Sequence, residues 1–215
     1  MPARIITLDG PAWSGKSTNA KLAAKILAGI ALDSGSFYRI IADQLLYAGI
    51  DPLNEAGVAA RLHQLKIYAS SGVAERVNGR HVSYTALKRP EIQAIVSAVS
   101  RNPFVRDFVN DQLRQYADTV DGYIICEGRD AGHVIFPNAE RKLFLWAPAE
   151  ARASRGNETI AQVEARDHSD MTTKGEGNLL SVDEARSLGY RIINAALSPE
   201  AVLNACIEAI TGELL

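Results

Sequence analysis

Gly10 to Ser17 reads G-P-A-W-S-G-K-S, which fits the pattern G-x-x-x-x-G-K-[ST]. Ahead of it, Arg4 to Asp9 (R-I-I-T-L-D) is a short apolar run ending in an acid. Behind it, Leu22, Ala23, Ile26 and Leu27 recur at helical spacing within Thr18 to Leu27. In a strand–loop–helix context the glycines let successive backbone N–H groups turn toward phosphate oxygens. The helix adds the positive end of its dipole at the same place. Lys16 is expected to reach the β- and γ-phosphates of ATP, and the Ser17 hydroxyl to coordinate the Mg²⁺ carried by the nucleotide. Gly10, Pro11, Ala12, Trp13, Ser14, Gly15 and Thr18 complete this P-loop cradle. Trp13 stands where such loops usually carry a small residue, and its ring is expected to lie over the outside of the loop. A G-x-G-x-x-G run is missing, which excludes the dinucleotide-binding fingerprint.

Working outward, Ile30 to Asp33 reads as a second strand and Gly35 to Ala48 as a helix, with Phe37, Ile40, Ile41 and Leu45 on one face. Glu55 to Ala69 is expected to be helical. Val73 to Tyr84 is expected to form a hairpin turning at Asn78-Gly79. Helices are expected from Pro90 to Val99 and from Pro103 to Tyr116. Strands follow at Tyr123 to Cys126 (capped by Glu127), Lys142 to Trp146 and Tyr190 to Ile193, and a closing amphipathic helix at Pro199 to Ile210. Buried-type strands alternating with helices predict an α/β protein: a P-loop NTPase fold, with a five-stranded parallel sheet and helices on both faces. Met171 to Asn178 (M-T-T-K-G-E-G-N) is the most loop-like stretch and a candidate mobile segment.

Bulk composition narrows the function classes. The chain has 215 residues, 47% hydrophobic and 22% charged, with a net charge of −2. Nothing global draws it to nucleic acid or an anionic membrane, so anion binding must come from local clusters of cations. Cys126 and Cys206 are too isolated for a disulfide framework or a zinc site and read as small buried residues. His63, His81, His133 and His168 have no metal-ligand spacing. Asp9 interrupts the first apolar run, which does not read as a signal peptide, and no stretch approaches a membrane span. The expected compartment is the cytoplasm.

Two further strings address the acceptor. Leu32 to Arg39 reads L-D-S-G-S-F-Y-R, where Asp33 could help orient Mg²⁺ or its waters and Arg39 could face an incoming phosphate. Ile125 to Pro137 reads I-C-E-G-R-D-A-G-H-V-I-F-P. There Glu127 ends an apolar strand where P-loop proteins keep a carboxylate near Mg²⁺. The adjacent Arg129 and Asp130 could bind a phosphate together with a base or sugar at the carboxyl ends of the strands.

Taken together with V-S-A-V-S-R-N-P-F-V-R (Val96 to Arg106) and A-R-D-H-S-D (Ala165 to Asp170), these strings resemble the bacterial cytidylate kinases across most of the chain and in the same order. The resemblance implies transfer of the γ-phosphate of ATP to CMP or dCMP by a single kinase domain over 1–215. Its core would be 1–52, 90–148 and 180–215, with an acceptor-binding insert over about 53–89 and a lid over about 149–179. The implied partners are these small molecules alone, bound by a monomer. Ser97, Arg106 and Asp130 match positions that read the cytosine edge. Arg39 and Arg129 match those holding the acceptor phosphate, with Ser34 and Tyr38 beside them. Arg166 and Asp170 match positions reaching the phosphate and the sugar hydroxyls, and Lys88 falls where an Arg is common.

The chemistry of these residue types agrees. A carboxylate such as Asp130 accepts from the N4 amino group of cytosine, while Arg106 and Ser97 can donate to N3 and O2. Uracil would place a carbonyl against the carboxylate, an unpaired buried acceptor costing about 1–3 kcal/mol. The match thins in the lid. Arg152 and Arg155 persist in A-R-A-S-R and are assigned to the nucleotide, but Gly156 stands where another Arg is common, and positions 156 to 165 are short. Beyond Asp170, Lys174 offers only a point charge.

Overall fold

The computed structural model describes residues 3–172 and 179–213. Two compact units emerge, one made of residues 1–32 and 120–215, the other of residues 33–119.

The first unit is built on β1 (Arg4–Asp9), β2 (Ile30–Asp33), β6 (Tyr123–Glu127), β7 (Arg141–Trp146) and β8 (Arg191–Asn194). They form the expected five-stranded parallel sheet, in the order β2-β6-β1-β7-β8. The alternation of a strand decides what each face carries. Ile6 and Leu8 of β1, with Ile125, Leu143, Leu145 and Ile193, point to one face. There they pack on α1 (Lys16–Ile26) and α9 (Pro199–Thr211) through Ala20, Ala23, Val202, Ile207 and Ile210. Each such side chain taken fully out of water contributes about 1.5–3 kcal/mol. Phe144, of opposite parity, meets Tyr190 edge-on with ring centroids 6.2 Å apart, beside Leu179 and Ala185 of the α8 region (α8 is Val182–Ser187). Between β7 and α8 lie α6 (Ala149–Gly156) and α7 (Ile160–Thr172).

The second unit opens with α2 (Ser34–Ala48), capped by Asp33, whose side chain accepts from Ser36 N, and closed by Gly49 at φ 65°. The expected inner face is the buried one: Phe37, Ile40, Ile41 and Leu45 are 0–2% exposed. α3 (Glu55–Leu62), α4 (Pro90–Arg101) and α5 (Pro103–Asp118) surround α2 and a three-stranded sheet of β3 (Ile67–Ser70), β4 (Val73–Val77) and β5 (Arg80–His81). The β4–β5 hairpin turns at Asn78 and Gly79, both at positive φ, as expected from that dipeptide.

One expectation fails here. The helix expected over Glu55 to Ala69 ends at Leu62, and Ile67–Ser70 is a strand antiparallel to β4. Asn78 decides it, because its Oδ1 accepts from Lys66 N while its own N–H donates to Lys66 O. That pairing starts the ladder and leaves Ile67 inward and Tyr68 outward. Of the loop expected at Met171 to Asn178, only the first two residues are described. Met171 and Thr172 are the last residues of α7, and 173–178, including Lys174, lie outside the described residues.

Candidate active site

The phosphate loop leaves the carboxyl end of β1. Gly10 has φ 141°, and a Cβ there would stand 2.2 Å from the Leu145 carbonyl oxygen, so the loop passes β7 where no side chain fits. Gly15, at φ 89°, precedes the first turn of α1. Lys16 Nζ donates to Pro11 O at 2.7 Å. Its burial, and next the charge of Arg129, lower its pKa from 10.5 to about 7. Ser17 Oγ donates to Glu127 Oε1 at 2.8 Å, bringing together two of the three expected metal-orienting groups. Ser14 Oγ is buried with no hydrogen-bond partner among the described residues, an orphaned donor inside the loop. A loop with a buried cation and a spare hydroxyl fits a polyphosphate. The Ser17–Glu127 pair supplies the hard oxygen ligands Mg²⁺ prefers. No group of three or more His, Cys, Asp or Glu among the described residues could hold a metal.

Below the loop, Asp9 is fully buried. Its oxygens accept from Ala131 N and Gly132 N, both at 2.8 Å, and from the Tyr190 hydroxyl at 2.7 Å. Burial raises its pKa to about 6, aided by the charge of Asp130, while those donors pull the other way. Asp9 thus pins the single π-helical turn Ala131–Ile135, and with it the preceding Arg129 and Asp130. Asp130 itself is 6% exposed.

Three side chains of α7 reach the loop through a partner. Asp170 accepts from Arg129 Nε at 2.8 Å, and Arg129 Nη1 donates to Gly10 O at 3.3 Å. Asp167 takes both terminal nitrogens of Arg152, whose Nη1 also donates to Ala12 O at 3.3 Å and whose Nε donates to Ala147 O at 2.8 Å. Arg166 pairs with Glu158 at 3.1 Å, and Glu158 accepts from Trp13 Nε1 at 2.9 Å. Gly10, Ala12 and Trp13 are therefore each tied to one helix. Arg155 donates to Ala195 O at 2.7 Å and to Trp13 O at 3.5 Å. Arg152 and Arg155, assigned from the sequence to the nucleotide, are thus engaged with backbone carbonyls, and Arg152 is 4% exposed. Trp13 lies against Gly156.

In the second unit, Asp33 is not a spare carboxylate. One oxygen caps α2 at Ser36 N and the other accepts from the Tyr84 hydroxyl at 2.9 Å. Both Asp33 oxygens thus meet protein donors. Arg39 Nη1 stands 3.8 Å from Asp33 Oδ1. Its buried Nε and Nη1 have no hydrogen-bond partner among the described residues. Lys88 lies 4.4 Å over the Tyr84 ring, so Tyr84 links Lys88, Asp33 and Arg39. Ser34 and Tyr38 are buried on the first turns of α2. Arg106 Nη1 donates to Ser100 O, and Ser100 Oγ to Ser97 O, which brings Arg106 to the end of α4 that carries Ser97.

The cytidylate kinase family profile matches residues 6–211 of this sequence. The chain belongs to the cytidylate kinase family. It is 35% identical to a cytidylate kinase of Lactiplantibacillus plantarum, over 79% of this chain and 80% of that protein. It is 37% identical to one of Mycobacterium avium, over 79% and 81%. It is also 34% identical to a bifunctional pantoate ligase/cytidylate kinase of Synechococcus, over 94% of this chain, and spans only 44% of that protein's length. In fold it is similar to the crystal structure of TT1252 from Thermus thermophilus, with a TM-score of 0.56, 18% identity and full coverage of both chains.

Within this family frame, the residues that sequence reasoning passed over are Asp9, Tyr84, Glu158, Asp167 and Tyr190. Only Asp9 and Asp167 carried a signal: one ends the strand before the loop, the other lies inside the A-R-D-H-S-D string. The remaining three act through contacts far away in sequence. Among the described residues no helix is long and apolar enough to cross a membrane.

Proposed function

We propose that this chain transfers the γ-phosphoryl group of ATP to CMP or dCMP, giving ADP and CDP or dCDP. The observation that carries the reading is the loop with buried Lys16, the orphaned Ser14 hydroxyl and the Ser17–Glu127 pair, in a chain of the cytidylate kinase family. The reading retains a single kinase domain, with an acceptor insert over about 53–89 and a lid over about 149–179. It works as a cytoplasmic monomer on small molecules, without nucleic acid or membrane.

The chemical obstacle is repulsion between two anions, and the remedy is fixed positive charge and alignment. Lys16 and the loop N–H groups hold the β- and γ-phosphates. Ser17 and Glu127 would hold Mg²⁺, which would supply positive charge at the phosphates. Arg39, with two buried N–H nitrogens unpartnered among the described residues, is the acceptor-phosphate ligand, and Lys88 adds charge beside it. Arg129 joins Arg39 at the acceptor phosphate, and Arg166 serves the transferred phosphoryl group. Asp170 orients Arg129 and is assigned to the sugar hydroxyls. Ser97, Arg106 and Asp130 are assigned to the cytosine edge. Arg152 and Arg155 are assigned to the nucleotide.

The test is to mix the protein with ATP and Mg²⁺ and supply CMP, dCMP, UMP, AMP or no acceptor while following ADP. Rapid ADP formation with CMP or dCMP, about one to two decades faster than with UMP, supports the reading. ADP formation only with another acceptor, or none at all, refutes it.

A further inference from the structure

Glu158 uses its two carboxylate oxygens in two directions. Oε2 accepts from Trp13 Nε1 at 2.9 Å, and Oε1 pairs with Arg166 Nη2 at 3.1 Å. Its backbone is held equally firmly. Asn157, at φ 52°, closes α6, and Glu158 N–H donates to Ala153 O. Thr159 then caps α7 reciprocally with Gln162: Thr159 N–H donates to Gln162 Oε1 at 2.8 Å, and Gln162 N–H to Thr159 Oγ1 at 3.2 Å. Only residues 157–159 join the two helices, which leaves the Glu158 carboxylate little freedom.

Trp13 is placed with similar cost. It has φ 60°, a conformation that strains a bulky residue by about 1–3 kcal/mol and persists only where the surroundings over-determine it. Here they do. The indole lies on Gly156, where a Cβ would come within 2.6 Å of Cε2 and Nε1. The Trp13 carbonyl receives Arg155.

We propose that Trp13 and Glu158 are positioning residues for Arg166: the indole N–H fixes the Glu158 carboxylate, and the carboxylate aims the Arg166 guanidinium. The device ties an arginine of α7 to the phosphate loop itself. It makes Arg166 the third member of the set in which Arg129–Asp170 ends on Gly10 and Arg152–Asp167 ends on Ala12. The inference rests on the reading above that Arg166 serves the transferred phosphoryl group.

The experiment is a double-mutant cycle of Glu158→Gln and Arg166→Ala on CMP-dependent ADP formation, with Trp13→Phe as a second entry to the same contact. Glu158→Gln is expected to lower kcat about tenfold with the KM for ATP little changed, since misplacing a catalytic group by a fraction of an ångström is enough. The double variant should be no slower than Arg166→Ala alone. Trp13→Phe, which keeps a ring on Gly156 but loses the N–H donor, should lower kcat in the same direction by a smaller factor. In a Trp146→Phe background the emission of Trp13 reports the contact without any turnover, and Glu158→Gln should shift it to the red.

Emission unchanged by Glu158→Gln, a kcat that rises or stays level, or fully multiplicative losses in the double variant would each overturn the inference. If Arg166→Ala is slow but Glu158→Gln is not, the inference alone fails. If the unmutated protein forms no ADP with CMP, the functional reading fails and takes the inference with it.

Discussion

The phosphate loop and the α6–α7 segment, both in the first unit, are held in place by different means. The loop is shaped by its own backbone: Gly10 passes under Leu145, Gly15 turns into α1, and Lys16 bonds the carbonyl of Pro11 five residues away. The α6–α7 segment is shaped by ion pairs. Arg152, Arg166 and Arg129 each meet an acid that sequence order alone does not designate, and each set ends on the loop. A backbone-coded element can be read from eight consecutive residues. One coded by side-chain pairs becomes legible only once the chain has folded.

The comparison can be broken at either end. Lys16→Ala removes the loop's buried cation and should lower CMP-dependent turnover about 10³-fold or more, the scale of a lost phosphate-stabilising charge. Steady-state kinetics would check it, and turnover within a few-fold of the unmutated protein would remove Lys16 from the mechanism. Arg152→Ala strikes the other region. It leaves Asp167 partly buried and unpaired and frees the Ala12 and Ala147 carbonyls. Denaturant unfolding should show a loss of about 3–5 kcal/mol, as for a broken buried pair. A loss below about 1 kcal/mol, the range of exposed pairs, would mean that the loop does not lean on α6.

A smaller effect sharpens the contrast. Burial lowers the Lys16 pKa from 10.5 to about 7, so at pH 8 the amine is largely unprotonated. A bound polyphosphate favours the charged form and must draw a proton back. Nucleotide binding at pH 8 should therefore take up close to one proton, and affinity should weaken as pH rises through 7, by up to about tenfold per unit. Calorimetric titration in two buffers of different ionisation heat measures this. Zero uptake would mean that Lys16 stays charged throughout.

The same division explains what the sequence revealed. All five strands of the large sheet and the P-loop were legible, because local alternation and one dense motif specify them. The helix expected over Glu55 to Ala69 was half wrong, because Asn78, twelve residues beyond Lys66, decides where the ladder begins. The contact of Asp33 with the Tyr84 hydroxyl was not legible either, because that partner is 51 residues away. The contacts that Arg152 and Arg155 make with Asp167 and the Ala195 carbonyl were likewise not legible in the sequence. Trp13 stood out in the loop, but its partner Glu158 is 145 residues distant.

The most direct measurement follows a label. With ATP marked at the γ-phosphorus, Mg²⁺ and an equal mixture of CMP, UMP and AMP, the account predicts that the label appears at the β-position of CDP, with little in UDP, ADP or inorganic phosphate. Label that stays in ATP, or is released to water without CDP, would contradict it.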